Sequence, residues 1–152
     1  MLERMTLLDA KEYDEAGARR RKKIIVTIIG AILVIAALAY AFRYWPEERL
    51  VDKFFTALQK QQYETAYGLY MADPDWRQHP QKYSLYPYSD FYRDWGPGGE
   101  WGLVKNYKIY ATGECPKGGS GVIVEVIVNE RHEHEQIYVQ KKEKTFSPSP
   151  CS

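Results

Sequence analysis

The chain has few of the motifs that catalytic proteins carry. Its 152 residues hold only two cysteines, with no Cys-x-x-Cys, no Gly-x-Ser-x-Gly, no phosphate-binding loop and no Gly-x-Gly-x-x-Gly. It also lacks a surplus of charge, because 21 basic residues face 20 acidic ones for a net charge of +1. Nucleic-acid binding needs an excess of Lys and Arg on one face. We therefore expect no cofactor and no nucleic-acid partner.

One segment lacks charge altogether. Residues 24–42, IIVTIIGAILVIAALAYAF, hold no charged side chain over 19 positions. As a helix they would span about 28 Å, close to the hydrocarbon thickness of a bilayer. Five cations, RRRKK, directly precede this run, and Tyr44 and Trp45 follow it. Because cations favour the cytoplasmic side and these rings the lipid–water boundary, the pattern predicts a single-pass helix with its N-terminus in the cytoplasm.

This topology divides the chain into three parts. Residues 1–23 form a basic cytoplasmic tail, residues 24–42 a transmembrane helix in the inner (cytoplasmic) membrane, and residues 43–152 an extracytoplasmic domain. The alternative is a cleaved signal peptide, because Ala37-Leu38-Ala39 has the small-x-small form of a cleavage site. The apolar run exceeds the roughly 7–15 residues of a signal peptide, which favours a retained anchor in contact with membrane lipid.

Helical spacing comes first along the outer part of the chain. Apolar residues recur every three or four positions from Leu50 to Leu58, and a second helical stretch covers residues 63–71. A third, short helix is predicted to begin with Ser89 as its N-cap. We expect it to end at Gly96 in the left-handed conformation, with Pro97 just beyond.

Alternation with a period of two follows the helices. It predicts strands over residues 104–115, 121–129 and 135–141 and a short last segment around Phe146. Helices followed by strands indicate an α+β fold with an antiparallel sheet. The first strand ends at the sheet edge from which the C-terminal tail leaves, so in an oxidising compartment we expect a disulfide between Cys115 and Cys151.

The outer part resembles a known family. The segment EERLVDKFFTALQKQQYETAYGLY is similar to the first two helices of nuclear-transport-factor-2-like (cystatin-like) domains, and KTFSPS fits their closing part. The resemblance covers about residues 46–150. It implies helices packed on the concave face of a curved antiparallel sheet, forming a cone with an internal pocket. DPDWRQHPQKY and FYRDWGPGGEWG further resemble small bacterial membrane-anchored members of unassigned activity, which implies a periplasmic domain.

No residue is predicted to be catalytic or to bind a metal. An isomerase of this family would need a carboxylate base and an oxyanion-stabilising Tyr or protonated Asp. The candidate acids match none of the family's catalytic positions; they are Asp73, Asp75, Asp90 and Asp94. His132 and His134 share one face of a predicted strand, a spacing that suits a metal, but a solvated turn is the simpler interpretation.

The stretch of residues 76–101 is rich in aromatic side chains. Trp76, Tyr92 and Trp95 are the candidate lining of a pocket for a flat or apolar ligand. Alternatively, the same rings fill the cone as core, since each large ring buries about 150–250 Å². We favour the core interpretation.

The sequence therefore predicts a membrane-anchored accessory or binding module without catalytic activity, which contacts a protein partner in the membrane or envelope. Two alternatives stay open: a pocket enzyme of the isomerase or dehydratase type, and a small-ligand sensor. A cone filled with aromatic rings would exclude the enzyme, whereas a buried Asp and a Tyr facing a cavity would weaken the accessory interpretation.

Overall fold

The computed structural model describes residues 14–151, and the chain divides into two compact units, Met1–Phe42 and Arg43–Ser152. The first unit contains helix α1, Glu15–Ala41, in which no residue is buried. The most apolar 18-residue window of this helical stretch has a mean hydropathy of 2.8. By length and composition α1 is a candidate membrane span, although a signal sequence near an N-terminus would meet the same criteria.

Helix α1 begins inside the predicted cytoplasmic tail. The Asp14 side chain accepts a hydrogen bond from the Gly17 N–H and so caps the first turn. The five cations that precede the apolar run therefore lie on the helix itself. Residues 1–13 of the predicted tail lie outside the described residues.

The second unit consists of helices followed by a curved, open antiparallel sheet, which confirms the predicted α+β class. Its helices are α2 (Trp45–Gln59), α3 (Tyr63–Tyr70) and α4 (Tyr88–Trp95), with two 3₁₀ turns, Trp76–Gln78 and Pro80–Tyr83, between α3 and α4. Its strands are β1 (Tyr107–Gly113), β2 (Gly121–Val128), β3 (His134–Gln140) and β4 (Phe146–Pro148). They pair in the order β1-β2-β3-β4, as a meander.

Strand β2 supplies the centre of the core face of the sheet. Val122, Val124, Val126 and Val128 alternate along it, and each is completely buried. On β3, the buried residues Val139 and Ile137 lie opposite Val122 and Val124, and Glu135 lies opposite Val126. Because side chains alternate between the two faces of a strand, this register fixes which β3 residues also face the core.

Strand β1 is shorter than predicted and contains a β-bulge. The register shifts between Ile109 and Ala111, so Tyr110 has no partner on β2. An extra residue in one strand moves the following side chains to the other face. This is the physical reason that the alternation in the sequence is imperfect here.

Two predictions about α4 are wrong. The helix begins at Tyr88 after Pro87, whose carbonyl accepts hydrogen bonds from the N–H groups of Asp90 and Phe91, so Ser89 lies inside the first turn and is not the cap. Gly96 follows the helix with φ −77° and ψ −173°, which is extended and not left-handed. Glycine is needed there because a Cβ would overlap the carbonyl oxygen of Tyr92.

Aromatic rings fill most of the space between the helices and the sheet. Phe54 of α2 is completely buried and lies at the centre of this cluster. Its ring centroid lies 5.0–6.2 Å from the following rings: Phe55, Tyr70, Phe91, Trp95 and Phe146. These rings come from α2, α3, α4 and β4, so one side chain links four elements of the domain.

A disulfide joins Cys115, which follows β1, to Cys151 in the C-terminal tail. The two Cα atoms are 5.7 Å apart and the residues are 36 positions apart in sequence. The closed loop contains β2, β3 and β4, so the bridge joins the segment that follows β1 to the segment that follows β4.

Candidate ligand-binding cavity

The aromatic cluster does not fill the domain completely. A cavity of about 500 Å³ lies beside the core face of β3 and β4. Aromatic and acidic side chains dominate its lining, which includes Tyr70, Tyr86, Trp95, Trp101, Phe146, Asp94, Glu100 and Glu135. Cavities of this size are within the range that holds small ligands.

The lining groups come from several parts of the fold. Tyr70 ends α3, and Trp95 ends α4. Glu100 and Trp101 belong to the connector of residues 96–106 that leads from α4 to β1. Glu135 is on β3 opposite Val126, so it shares the core face with the buried residues of β2.

Glu135 is the most unusual group in the cavity. Its Oε2 accepts a hydrogen bond of 2.7 Å from the indole Nε1–H of Trp101. Burial raises the pKa of Glu135 above its ordinary value, the Trp101 hydrogen bond opposes this, and the charge of Glu100 raises the pKa further. The carboxyl therefore holds its proton to a higher pH than an exposed Glu would.

Two tyrosines line the same space as neutral hydrogen-bonding groups. Burial raises the pKa of Tyr70 to about 12, helped by the negative charges of Glu135 and Asp94. Burial also raises the pKa of Tyr86, whose hydroxyl donates a hydrogen bond of 3.0 Å to Asp94 Oδ2. Both phenols remain protonated at neutral pH.

The three carboxyl groups differ in how they are paired. Asp94 is occupied on both oxygens, because Arg93 Nε lies 3.2 Å from Oδ1 and Tyr86 donates to Oδ2. Within residues 14–151, neither Oε1 of Glu135 nor the exposed carboxylate of Glu100 has a hydrogen-bond or ion-pair partner. The cavity therefore presents acidic oxygens that are available to a ligand.

The three rings predicted to line one pocket lie in different places. Trp95 lines the cavity described above. Trp76 instead lines a separate pocket of about 220 Å³ and stacks on Tyr88 with centroids 5.1 Å apart. Tyr92 is 45% exposed and contacts the edge of Tyr63.

The predicted candidate acids are also dispersed. Asp73 is buried away from the cavity, where it accepts hydrogen bonds from the Tyr83 hydroxyl at 2.6 Å and from His79 Nδ1 at 2.8 Å. The Tyr83 hydrogen bond is the main reason that the pKa of Asp73 lies below its usual value. Asp90 forms a helix-surface pair with Arg93 at 3.1 Å. Asp94 alone of the four lines the cavity.

The histidine pair does not extend into a metal centre. His134 Nδ1 lies 3.7 Å from Glu125 Oε2, and its ring packs on Tyr110 with centroids 4.5 Å apart. In the part of the chain from Asp14 to Cys151, no group of three or more His, Cys, Asp or Glu side chains is arranged to hold a metal ion.

The sequence reasoning missed Glu135, although a signal was present. Ile137 and Val139 are apolar and alternate along the predicted third strand, and Glu135 precedes Ile137 by two positions. A period of two puts all three on one face. The polar run ERHEHEQ obscured this, because it is typical of a solvated turn.

Comparisons with known proteins leave the structure as the basis for function. No protein-family model, no curated protein and no solved structure matches this chain.

Proposed function

We propose that this chain is a membrane-anchored binding module that holds a small ligand in the cavity of its extracytoplasmic domain. Helix α1 would be the anchor, with residues 43–152 carried on the outer side of the membrane. The α+β arrangement of the domain is compatible with a nuclear-transport-factor-2-like fold, and we propose that finer assignment. We also propose a protein partner in the membrane or envelope. The 99% exposure of Leu85 and the exposed ring of Tyr92 support this proposal, because exposed apolar and aromatic side chains are common at protein interfaces.

The observation that carries this proposal is the cavity itself. Its volume of about 500 Å³ remains although more than a dozen aromatic rings pack in the domain. Apolar walls with a few convergent polar groups are typical of sites that bind small molecules. Tyr86 and Trp101 already donate hydrogen bonds to Asp94 and Glu135, which fixes the rings in place before any ligand arrives.

Binding is tested with the full chain in a nonionic detergent. A panel of neutral, cationic and anionic small molecules is titrated while tryptophan fluorescence is followed, since Trp95 and Trp101 line the cavity. At least one charge class should bind, and Ile137→Trp, which fills the cavity, should abolish that binding. The control is Ile127→Trp, on the outer face of β2. The proposal fails if no compound binds or if both variants bind equally well.

The anchor and its orientation need a separate measurement. Protease added to intact spheroplasts should digest the domain, and the intact mass of the membrane-bound protein should include residues 24–42. Protection of the domain until the membrane is opened would refute the orientation. A soluble product beginning near Ala39 would instead establish cleavage as a signal peptide.

One observation favours an enzyme as the second candidate. Glu135, with its raised pKa, and Tyr70, a neutral phenol, face one cavity. An isomerase or dehydratase needs such a carboxyl and a hydrogen-bond donor. The test is solvent-deuterium exchange at the carbon beside a ketone, which Glu135→Gln should slow by about 100-fold or more. Absence of exchange with every ketone tried would reject this candidate.

A further inference from the structure

The charged side chains that line the cavity are of one sign. Among the described residues that line it, three are acidic and none is Lys, Arg or His. Arg93 neutralises Asp94 from outside the lining. Arg131 reaches the connector, but its guanidinium donates to the backbone carbonyl of Glu100 and not to the carboxylate. Among the described residues, Glu100 and Glu135 are the acidic side chains of the lining that have no ion-pair partner.

Glu100 and Glu135 both line the cavity. The negative charge of Glu100 is one of the reasons that the pKa of Glu135 is raised, after burial. A carboxylate that is buried without a counter-ion, as Glu135 would be when ionised, is costly in the folded domain. A cation placed beside both would remove that cost, whereas an anion would increase it.

The walls of the cavity suit the apolar part of an organic cation. Trp101 is 6% exposed, and the Arg131 guanidinium lies 5.3 Å from its ring centroid, so one face of the ring is already occupied by a cation of the chain itself. Tyr70, Tyr86 and Trp95 add further rings to the same space. Aromatic rings attract organic cations, and quaternary ammonium groups bind in cages of such rings.

The donor set fits an organic cation better than a bare metal ion. A hard metal ion needs several oxygen or nitrogen ligands that converge within about 2.0–2.6 Å of it. In the described chain no three acidic, His or Cys side chains converge in that way. A cavity of about 500 Å³ with rings on several sides is also far larger than a single ion requires.

We propose that the cavity binds a small organic cation, an alkylammonium or quaternary ammonium compound, with its charge beside Glu100 and Glu135 and its alkyl groups against Trp95 and Trp101. This inference rests on the proposed function as a small-ligand binding module and specifies the chemical class of the ligand.

The test compares three probes of the same shape and different charge. Choline is the cation, 3,3-dimethylbutan-1-ol is its neutral carbon isostere, and 3,3-dimethylbutanoate is an anion of similar size. Each is titrated by calorimetry into the full chain in a maltoside detergent, because phosphocholine lipids and detergents would themselves compete. We expect choline to bind at least about tenfold more tightly than the neutral alcohol, and the anion to bind most weakly.

Charge-removing variants locate the bound cation. Glu135→Gln and Glu100→Gln should each weaken choline binding by about tenfold and leave the affinity for the neutral alcohol unchanged. Glu133→Gln is the matched control, because it removes the same charge from an exposed position two residues away from Glu135. It should leave the affinity for choline unchanged.

The outcomes separate this inference from the proposed function. Equal affinities for choline and the alcohol, or variants that bind choline as the control does, would refute the proposal that the ligand is a cation. The proposed function as a small-ligand binding module would be unaffected by that result. Failure of all three probes to bind would also refute the proposal that the ligand is a cation. The broader panel of compounds, tested with Ile137→Trp, would then decide whether the cavity binds any ligand.

Discussion

At the scale of single residues, Glu135 affects both the cavity and the stability of the domain. It is a carboxyl on the core face of a sheet, where apolar residues would bury more favourably. Its hydrogen bond from Trp101 connects β3 to the residues that follow α4. The same side chain therefore shapes the cavity and imposes a cost on the folded state.

That cost predicts a pH-dependent effect of Glu135→Gln. The pKa of Glu135 is higher in the folded domain than its ordinary value of 4.5, so the unfolded chain loses this proton first as the pH rises. Glu135 therefore lowers the free energy of unfolding as the pH rises from 4.5 through the raised pKa of the folded domain. Gln does not titrate and still accepts a hydrogen bond. The variant should match the wild type near pH 4 and be more stable at neutral pH.

Urea unfolding of the full chain in detergent, followed by near-ultraviolet circular dichroism across this pH range, measures the effect. Glu133→Gln is the control, because it removes a carboxyl from an exposed position two residues away from Glu135. A stability difference for Glu135→Gln that stays constant with pH, or that favours the wild type at neutral pH, would contradict the prediction.

Residues of the site were predictable where a local pattern determines their position. The period of β3 is enough to put Glu135 beside Ile137 on the inner face. No local pattern brings Trp101 to Glu135, because the two are 34 positions apart and meet only through the tertiary fold. The separation of Trp76 from Trp95 has the same origin, since the turns between α3 and α4 determine it.

At the scale of elements, the apolar periods predicted the helices and strands well, and their ends less well. The stripe Val51–Leu58 and the alternation of β2 were both recognisable, since burial of one face requires them. The end of α4 was not, because the need for glycine at position 96 comes from the approach of the Tyr92 carbonyl and not from a positive φ.

This distinction predicts opposite results for two glycines of one connector. A Cβ at Gly96 would overlap the carbonyl oxygen of Tyr92, whereas a Cβ at Gly98 meets no atom within 4 Å. Gly96→Ala should lower the free energy of unfolding by about 1–3 kcal/mol. Gly98→Ala should change it by no more than about 0.5 kcal/mol. Chemical denaturation checks both, and equal effects would refute the steric explanation.

Among single truncations, we expect Phe54→Ala to cause the largest loss of stability, because of the position of its ring. It contacts rings of α2, α3, α4 and β4 and has no exposed surface. Phe54→Ala should lower the free energy of unfolding by about 3–5 kcal/mol, because it removes apolar burial and leaves a void. Lys53→Ala, an exposed neighbour on the same helix, should change it by less than about 0.5 kcal/mol. A loss below about 1 kcal/mol for Phe54→Ala would show that the cluster relaxes around the void.

At the scale of the whole molecule, the chain joins an apolar helix to a small domain that depends on one covalent cross-link. A domain of this size buries a limited core, so a bridge that closes 36 positions contributes a substantial part of its stability. The bridge joins the residues that follow β1 and β4, which are the two outer strands of the meander.

Removing the bridge should therefore destabilise the domain measurably. The double variant Cys115→Ser and Cys151→Ser should unfold at lower denaturant, with a loss of about 3–4 kcal/mol in the chain-entropy description. Reductant should destabilise the wild type to a similar extent and leave the double variant unchanged. Reductant that has no effect on the wild type would contradict a stabilising role for the bridge.

The same cross-link changes the outcome of backbone cleavage. Residues 141–143, in the turn between β3 and β4, are exposed, and every peptide bond from Cys115 to Cys151 lies within the closed loop. A single cut in that loop therefore yields two pieces that remain covalently attached. The nicked protein would migrate as one species without reductant and as two with it, and it would persist as a two-chain molecule.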